Sequence, residues 1–162
     1  MSMTVIVYAV PTADADRLTN DPDLSAEFTR YGNPTAVSVS LEKSWHGLHY
    51  LLTGDAWESA GPKAFLIAGG RETPESDAGY GPARLFSPSE TADINAAISP
   101  VSGDELWGRF DSQEMASQDI YPMIWDESEA DLKEEYLFCF HDLKKLIANA
   151  AATGQGLLVV LA

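Results

Sequence analysis

In the run Trp45-His46-Gly47-Leu48-His49-Tyr50, two histidines sit three residues apart, which places both on one face of a helix, opposite the Leu48 stripe. Two imidazoles so placed could hold a metal ion, or one could act as a base near neutral pH. A zinc site needs further ligands, and no Cys-x-x-Cys or His-Glu-x-x-His pattern supplies them. No metal or cofactor is therefore expected, and the histidines read as lining for a polar pocket or as structural groups bonded to a loop. A second stretch is Asp77-Ala78-Gly79-Tyr80-Gly81-Pro82-Ala83-Arg84. Two glycines around an aromatic, followed by proline, make a stiff loop in which Asp77 and Arg84 could pair or Arg84 could hold a carboxylate. It is not a phosphate cradle, because no helix start with Lys or Ser/Thr follows and Pro82 removes an amide donor. A third stretch holds Trp107-Gly108-Arg109-Phe110-Asp111 and then Ile120-Tyr121-Pro122-Met123-Ile124-Trp125. Trp, Tyr and Arg together compose binding pockets and interface anchors, and they equally compose a small second core.

Other nucleophile arrangements fail on geometry. Cys139 and His141 are two apart on one helix and point roughly 200° away from each other. No Gly-x-Ser-x-Gly elbow is present, and no spacing among the acids singles out a catalytic pair.

These residues must be positioned by a mixture of strands and helices. The run 4–10 reads as a buried strand ended by Pro11. Thr12 then caps a helix start with two acids behind it, and Asp21-Pro22 opens another helix, with Leu24, Phe28 and Tyr31 in register and Gly32-Asn33-Pro34 as the stop. Residues 37–41 alternate as a short strand, and Ser44 to Gly54 reads as a capped helix with Trp45, Leu48 and Leu52 on one face. The apolar run 63–68 reads as a strand, and 71–84 as a Gly/Pro-rich loop. Ser87-Pro88-Ser89-Glu90 is a capping box with proline at the first helical position. Short helices are expected over 102–110 and 111–117, and a long one over 129–153 with Leu132, Tyr136, Cys139, Phe140, Leu143, Ile147 and Ala150 on its apolar stripe. Gly154 stops it, and 156–161, apolar throughout, reads as a central strand covered on both faces. The expected fold is α+β: one domain over 1–162, a mixed sheet covered by helices, with both terminal strands in the sheet.

Composition narrows the function classes. Among 162 residues, 10 Lys plus Arg face 25 Asp plus Glu, a formal charge of −15. Such a surface repels nucleic acid and anionic lipid, so neither is an expected partner. Hydrophobic content of 45% is that of a globular chain, and the single cysteine, Cys139, fits a reducing, cytoplasmic compartment.

The runs 41–54 (Leu-Glu-Lys-Ser-Trp-His-Gly-Leu-His-Tyr-Leu-Leu-Thr-Gly), Gly79-Tyr80-Gly81-Pro82-Ala83-Arg84, and Ile120-Tyr121-Pro122 with Trp125 together resemble the YfbM-like family of small bacterial proteins, in the same order along nearly the whole chain. The family is a domain of unknown function. The resemblance implies a bacterial, cytoplasmic α+β domain, assigns no reaction and transfers no catalytic residue.

Two functions stay open. One is a binding or regulatory module acting through protein–protein contact, such as an inhibitor or immunity-like protein, with a basic protein partner steered to the acidic surface; it expects Trp107 and Trp125 in an exposed patch and a complex that weakens with salt. The other is a small-molecule-binding protein or enzyme whose pocket draws on Trp45, His46, His49, Asp77, Tyr80, Arg84, Arg109, Tyr121 and Trp125. In an enzyme, His46 or His49 would be the base, oriented by Asp77, with Arg84 on an anionic substrate group.

Overall fold

The C-terminal strand is the axis of the fold. In the computed structural model, which describes residues 2–30, 37–74 and 79–162, β1 (Val5–Val10) and β5 (Gly156–Leu161) run antiparallel side by side. β2 (Ser38–Glu42) pairs with the outer edge of β1, β4 (Arg84–Phe86) pairs with β5, and β3 (Arg71–Glu72) closes the far edge, giving the order β2-β1-β5-β4-β3 among the described residues. The expected α+β class, with both terminal strands in the sheet, is what the chain forms. Within it every pairing is antiparallel, rather than a mixture of directions.

Both faces of the central strands are covered, as their unbroken apolar character requires. Val5, Val7, Ala9, Leu157 and Val159 face the larger core, while Tyr8, Val10, Leu158 and Val160 face a smaller one on the opposite side. The smaller core is closed by α1 (Thr12–Asn20) and α2 (Pro22–Arg30), where Phe28 meets Tyr8 edge to face with ring centroids 5.0 Å apart. The larger core is closed by α3 (Trp45–Thr53), α4 (Pro88–Ile98), α5 (Gly103–Trp107), α6 (Ser112–Ser117) and α7 (Glu129–Ala152). Along α7, Leu132, Tyr136, Phe140, Leu143, Ile147 and Ala150 are buried at the expected spacing, with Cys139 at the half-buried margin.

Local chemistry sets the helix ends. Asp21 Oδ1 accepts from the amides of Asp23 and Leu24, Asp111 Oδ1 from those of Gln113 and Glu114, and the Ser87–Glu90 capping box is complete in both directions. Two expected caps work otherwise. Thr12 is already helical, with Pro11 at the cap position, and its hydroxyl donates across the molecule to the Gly154 carbonyl, 2.9 Å away. Ser44 sits at the cap position of α3 but turns its hydroxyl to Glu135. Tyr31 and the stop expected at Gly32-Asn33-Pro34 lie outside the described residues.

The expected strand over 63–68 is a correction. The segment forms a single 3₁₀ turn, Pro62–Ala64, followed by further turns, with Ala64, Phe65 and Leu66 buried. Pro62 at the first helical position starts the turn, and Gly69 and Gly70 at φ of 82° and 73° end the segment. A short buried apolar run carries no periodicity to separate the two outcomes. Conversely, the loop expected over 71–84 contains β3 and reaches the start of β4, strands too short to leave an alternating pattern.

Two substitutions probe this arrangement. Ser87→Ala removes the cap of α4 and is expected to cost about 1 kcal/mol in urea unfolding. At Gly156 an added Cβ would lie 2.5 Å from the Phe86 carbonyl oxygen, so Gly156→Ala must force β4 from β5 and is expected to cost about 3 kcal/mol or more in the same assay.

Candidate functional site

Helix α3 is buried along its length from Trp45 to Leu52, histidines included. Gly47 permits this depth, since a Cβ there would meet the Tyr136 ring at 2.6 Å and the Trp125 indole at 2.8 Å. A buried imidazole needs partners for its nitrogens, and His46 has both. The Tyr121 amide donates to Nδ1 at 3.0 Å, and Nε2 lies 2.9 Å from the Ala56 carbonyl oxygen. An amide can only donate and a carbonyl can only accept, so the ring is neutral with its proton on Nε2. Burial lowers its pKa below the ordinary 6.5, partly offset by the bond to Ala56. His46 thus straps α3 to the loop before residue 57 and to the turn at residue 121.

His49 lies one turn deeper and is fully buried. Its Nε2 is 3.4 Å from the Thr53 hydroxyl, and its Nδ1 has no hydrogen-bond partner among the described residues. Burial, reinforced by His46 and opposed by Asp55 and Glu58, lowers its pKa to about 4. Among the described residues no group of His, Cys, Asp and Glu is placed to hold a metal ion.

Around His46 the aromatic side chains assemble a wall. The Trp45 and His46 rings stack with centroids 5.0 Å apart, and Trp57 leans over the other side of His46 at 4.4 Å while remaining 63% exposed. Trp45 Nε1 donates to the Met3 carbonyl, and the Met3 amide donates to the Tyr121 hydroxyl, so the chain entering β1 is bracketed between the two rings. The turn carrying Tyr121 is held by Asp119 at φ 53° and Met123 at φ 66°, a left-handed backbone that is uncommon for both residues, and by the Trp125 indole donating to the Ile120 carbonyl at 2.7 Å.

The opposite wall comes from β4 and the loop before it. Arg84 donates through Nη1 to the Gly69 carbonyl and through Nη2 to the Phe65 carbonyl, at 3.0 and 2.9 Å, and its guanidinium carbon lies 5.6 Å from the centroid of the Phe86 ring. Burial lowers its pKa to about 10. Between the walls is a cleft of about 500 Å³ whose lining includes Trp45, His46, Trp57, Tyr80, Arg84 and Tyr121, with Glu72 and Asp119 as its acids and Leu66, Ile67, Val159 and Leu161 among its apolar residues.

The three sequence stretches therefore converge. Trp45, His46, Tyr80, Arg84 and Tyr121 share the cleft, but His49, Arg109 and Trp125 do not line it. Arg109 donates to the Leu52 carbonyl at 3.0 Å and so caps the end of α3, while Trp125 packs against Tyr136 and Phe110 in the core. Asp77 lies outside the described residues. The sequence offered no periodic signal for Trp57, a lone tryptophan in the polar run Asp55-Ala56-Trp57-Glu58, which also lines the cleft. A large apolar side chain with no periodic partners was the available signal.

The fold and cleft define a helix-covered antiparallel domain with one aromatic-walled, cation-bearing concavity among the residues described above. The chain belongs to the family described as a domain of unknown function, DUF1877, whose model matches residues 1–160. Its fold is similar to that of YfbM from Escherichia coli, a protein of unknown function: the crystal structure aligns with a TM-score of 0.72 at 17% identity, over 98% of this chain and 99% of that one. A search of curated proteins finds no match. No helix among the described residues is long and apolar enough to cross a membrane.

Replacing the His46 ring by an apolar side chain strands the Tyr121 amide and the Ala56 carbonyl, so His46→Leu is expected to cost about 2–4 kcal/mol in urea unfolding. The lowered histidine pKa values fix a pH dependence. Below its ordinary 6.5, His49 takes up a proton in the unfolded chain but not in the folded one until about pH 4, so stability is full above 6.5 and declines as the pH falls toward 4. His49→Gln is expected to flatten that decline in melting temperatures recorded between about pH 7 and pH 5.

Proposed function

We propose that the chain is a small-molecule-binding protein whose ligand occupies the cleft walled by Trp45, Trp57, Tyr80, Arg84 and Tyr121. The observation that carries this reading is convergence: residues from three distant parts of the sequence line one concavity of about 500 Å³, within the size range of ligand sites, with an apolar lining and few polar groups. Binding is favoured over acid–base catalysis. The one imidazole on the cleft has both nitrogens committed to backbone partners, and the other lies behind it, away from the cleft lining. The reading of a module built for a basic protein partner draws less support, because Trp107 and Trp125, its expected surface anchors, are only 7% and 3% exposed.

Trp57 gives a clean test, because a side chain so far exposed contributes little to folding. A small-molecule library screened against the chain by isothermal titration is expected to yield ligands whose affinity falls about tenfold in Trp57→Ala, corresponding to about 1.4 kcal/mol, at unchanged melting temperature. Ligands indifferent to Trp57→Ala and to Tyr80→Ala, or none at all, would overturn the proposal.

A further inference from the structure

Arg84 is a cation whose bonded partners among the described residues are neutral. Its two hydrogen bonds go to backbone carbonyls, its flat face lies against Phe86, and among the described residues no carboxylate comes within ion-pairing distance of it. A guanidinium has five N–H donors in a planar fork, so two bonds to carbonyls leave donors unspent. A partly desolvated cation is costly where it makes no ion pair, and an anion brought to it recovers that cost. The carbonyl bonds also fix the fork in place, so little side-chain entropy remains to be lost when a ligand arrives. In a chain of net charge −15, an Arg on a concave, aromatic wall that makes no ion pair among the described residues is a feature that bulk solubility does not require.

The rest of the lining limits which anion fits. Glu72 lies directly across from Arg84 in the β3–β4 register, and Asp119 lines the same cleft. These two carboxylates on the lining repel a doubly charged group such as a phosphate monoester more than a single charge. Trp45, Tyr121, Leu66, Ile67 and Leu161 offer an apolar, largely aromatic bed for the remainder of the molecule. Resting on the reading of the cleft as a ligand site, we infer that its ligand is an apolar monocarboxylate, with its ring system against the Trp45 and Tyr121 wall and its carboxylate on the Arg84 fork.

Isothermal titration of the full chain with two series of probes tests this: phenylacetate and 1-naphthylacetate, each compared with its primary amide, with the amine of the same ring and with the aryl phosphate. The carboxylate is expected to bind about tenfold tighter than the amide in at least one series, and tighter than the phosphate and the amine. Arg84→Gln is expected to bring the carboxylate to the level of the amide. Because that variant also strips the Phe65 and Gly69 carbonyls of their donor, Glu72→Gln supplies the independent check: removing a repelling charge from an exposed side chain is expected to tighten the carboxylate about two- to fivefold and leave the amide unchanged. Amide equal to carboxylate, amine or phosphate tighter, or no response to Glu72→Gln would overturn the monocarboxylate and leave the cleft as a site for another ligand class. Absence of binding by every probe, with no change in the backbone amide spectrum around Trp57 and Tyr121, would overturn both.

Discussion

The two hydrogen bonds of the His46 ring are the constraint on which the site depends. One ring ties three segments that are distant in sequence: helix α3 through its own backbone, the loop at Ala56, and the turn at Tyr121. The Tyr121 amide requires a bare Nδ1 and the Ala56 carbonyl requires a proton on Nε2, so the two bonds together hold the ring neutral and in one tautomer. The same requirement that places Trp45, Trp57 and Tyr121 around the cleft therefore removes His46 from acid–base or metal chemistry. Burial of a polar side chain here buys spatial specificity rather than reactivity. Its price is the pair of orphaned backbone groups that any apolar replacement would leave.

Arg84 plays the matching part on the other wall. The 62–70 segment does not join the sheet, so its carbonyls need donors from elsewhere, and the guanidinium supplies two of them. Burying a cation to complete the backbone of a neighbouring loop leaves a positive charge facing an apolar concavity. Fold and binding chemistry thus rest on the same side chain, and both walls of the cleft are anchored to the sheet: one through β4, the other through Met3 at the entry to β1. The central strand β5 makes this possible, because its two covered faces fix β1 and β4 at a set distance.

Much of this frame is legible in the sequence. Capping residues at Asp21, Ser87 and Asp111 and the left-handed Gly54 and Gly154 mark helix ends through local chemistry alone. The apolar run of β5 signals two covered faces, and the stripe on α7 signals its buried side. What was not legible depends on partners distant in sequence. The 63–68 run has the composition of a strand, and only the Arg84 bonds and the flanking glycines decide that it turns. β4 is three residues long and is a strand only because β5 lies beside it. Spacing drew attention to His46, Tyr80, Arg84 and Tyr121, which line one cleft, but nothing local separates a cleft residue from a helix cap, as Arg109 shows, or from a core tryptophan, as Trp125 shows.

The account stands on the protonation state of one ring, and nitrogen-15 NMR of the histidine imidazoles reads that state directly. His46 is expected to show a single neutral tautomer at neutral pH, protonated at Nε2 and bare at Nδ1, and to take up a second proton only below the 6.5 of an ordinary histidine. A ring that exchanges between tautomers, or that becomes doubly protonated near pH 6.5, would contradict it. Such a ring would be free to act as a base or a ligand, and the walls of the cleft would have to be held together by something else.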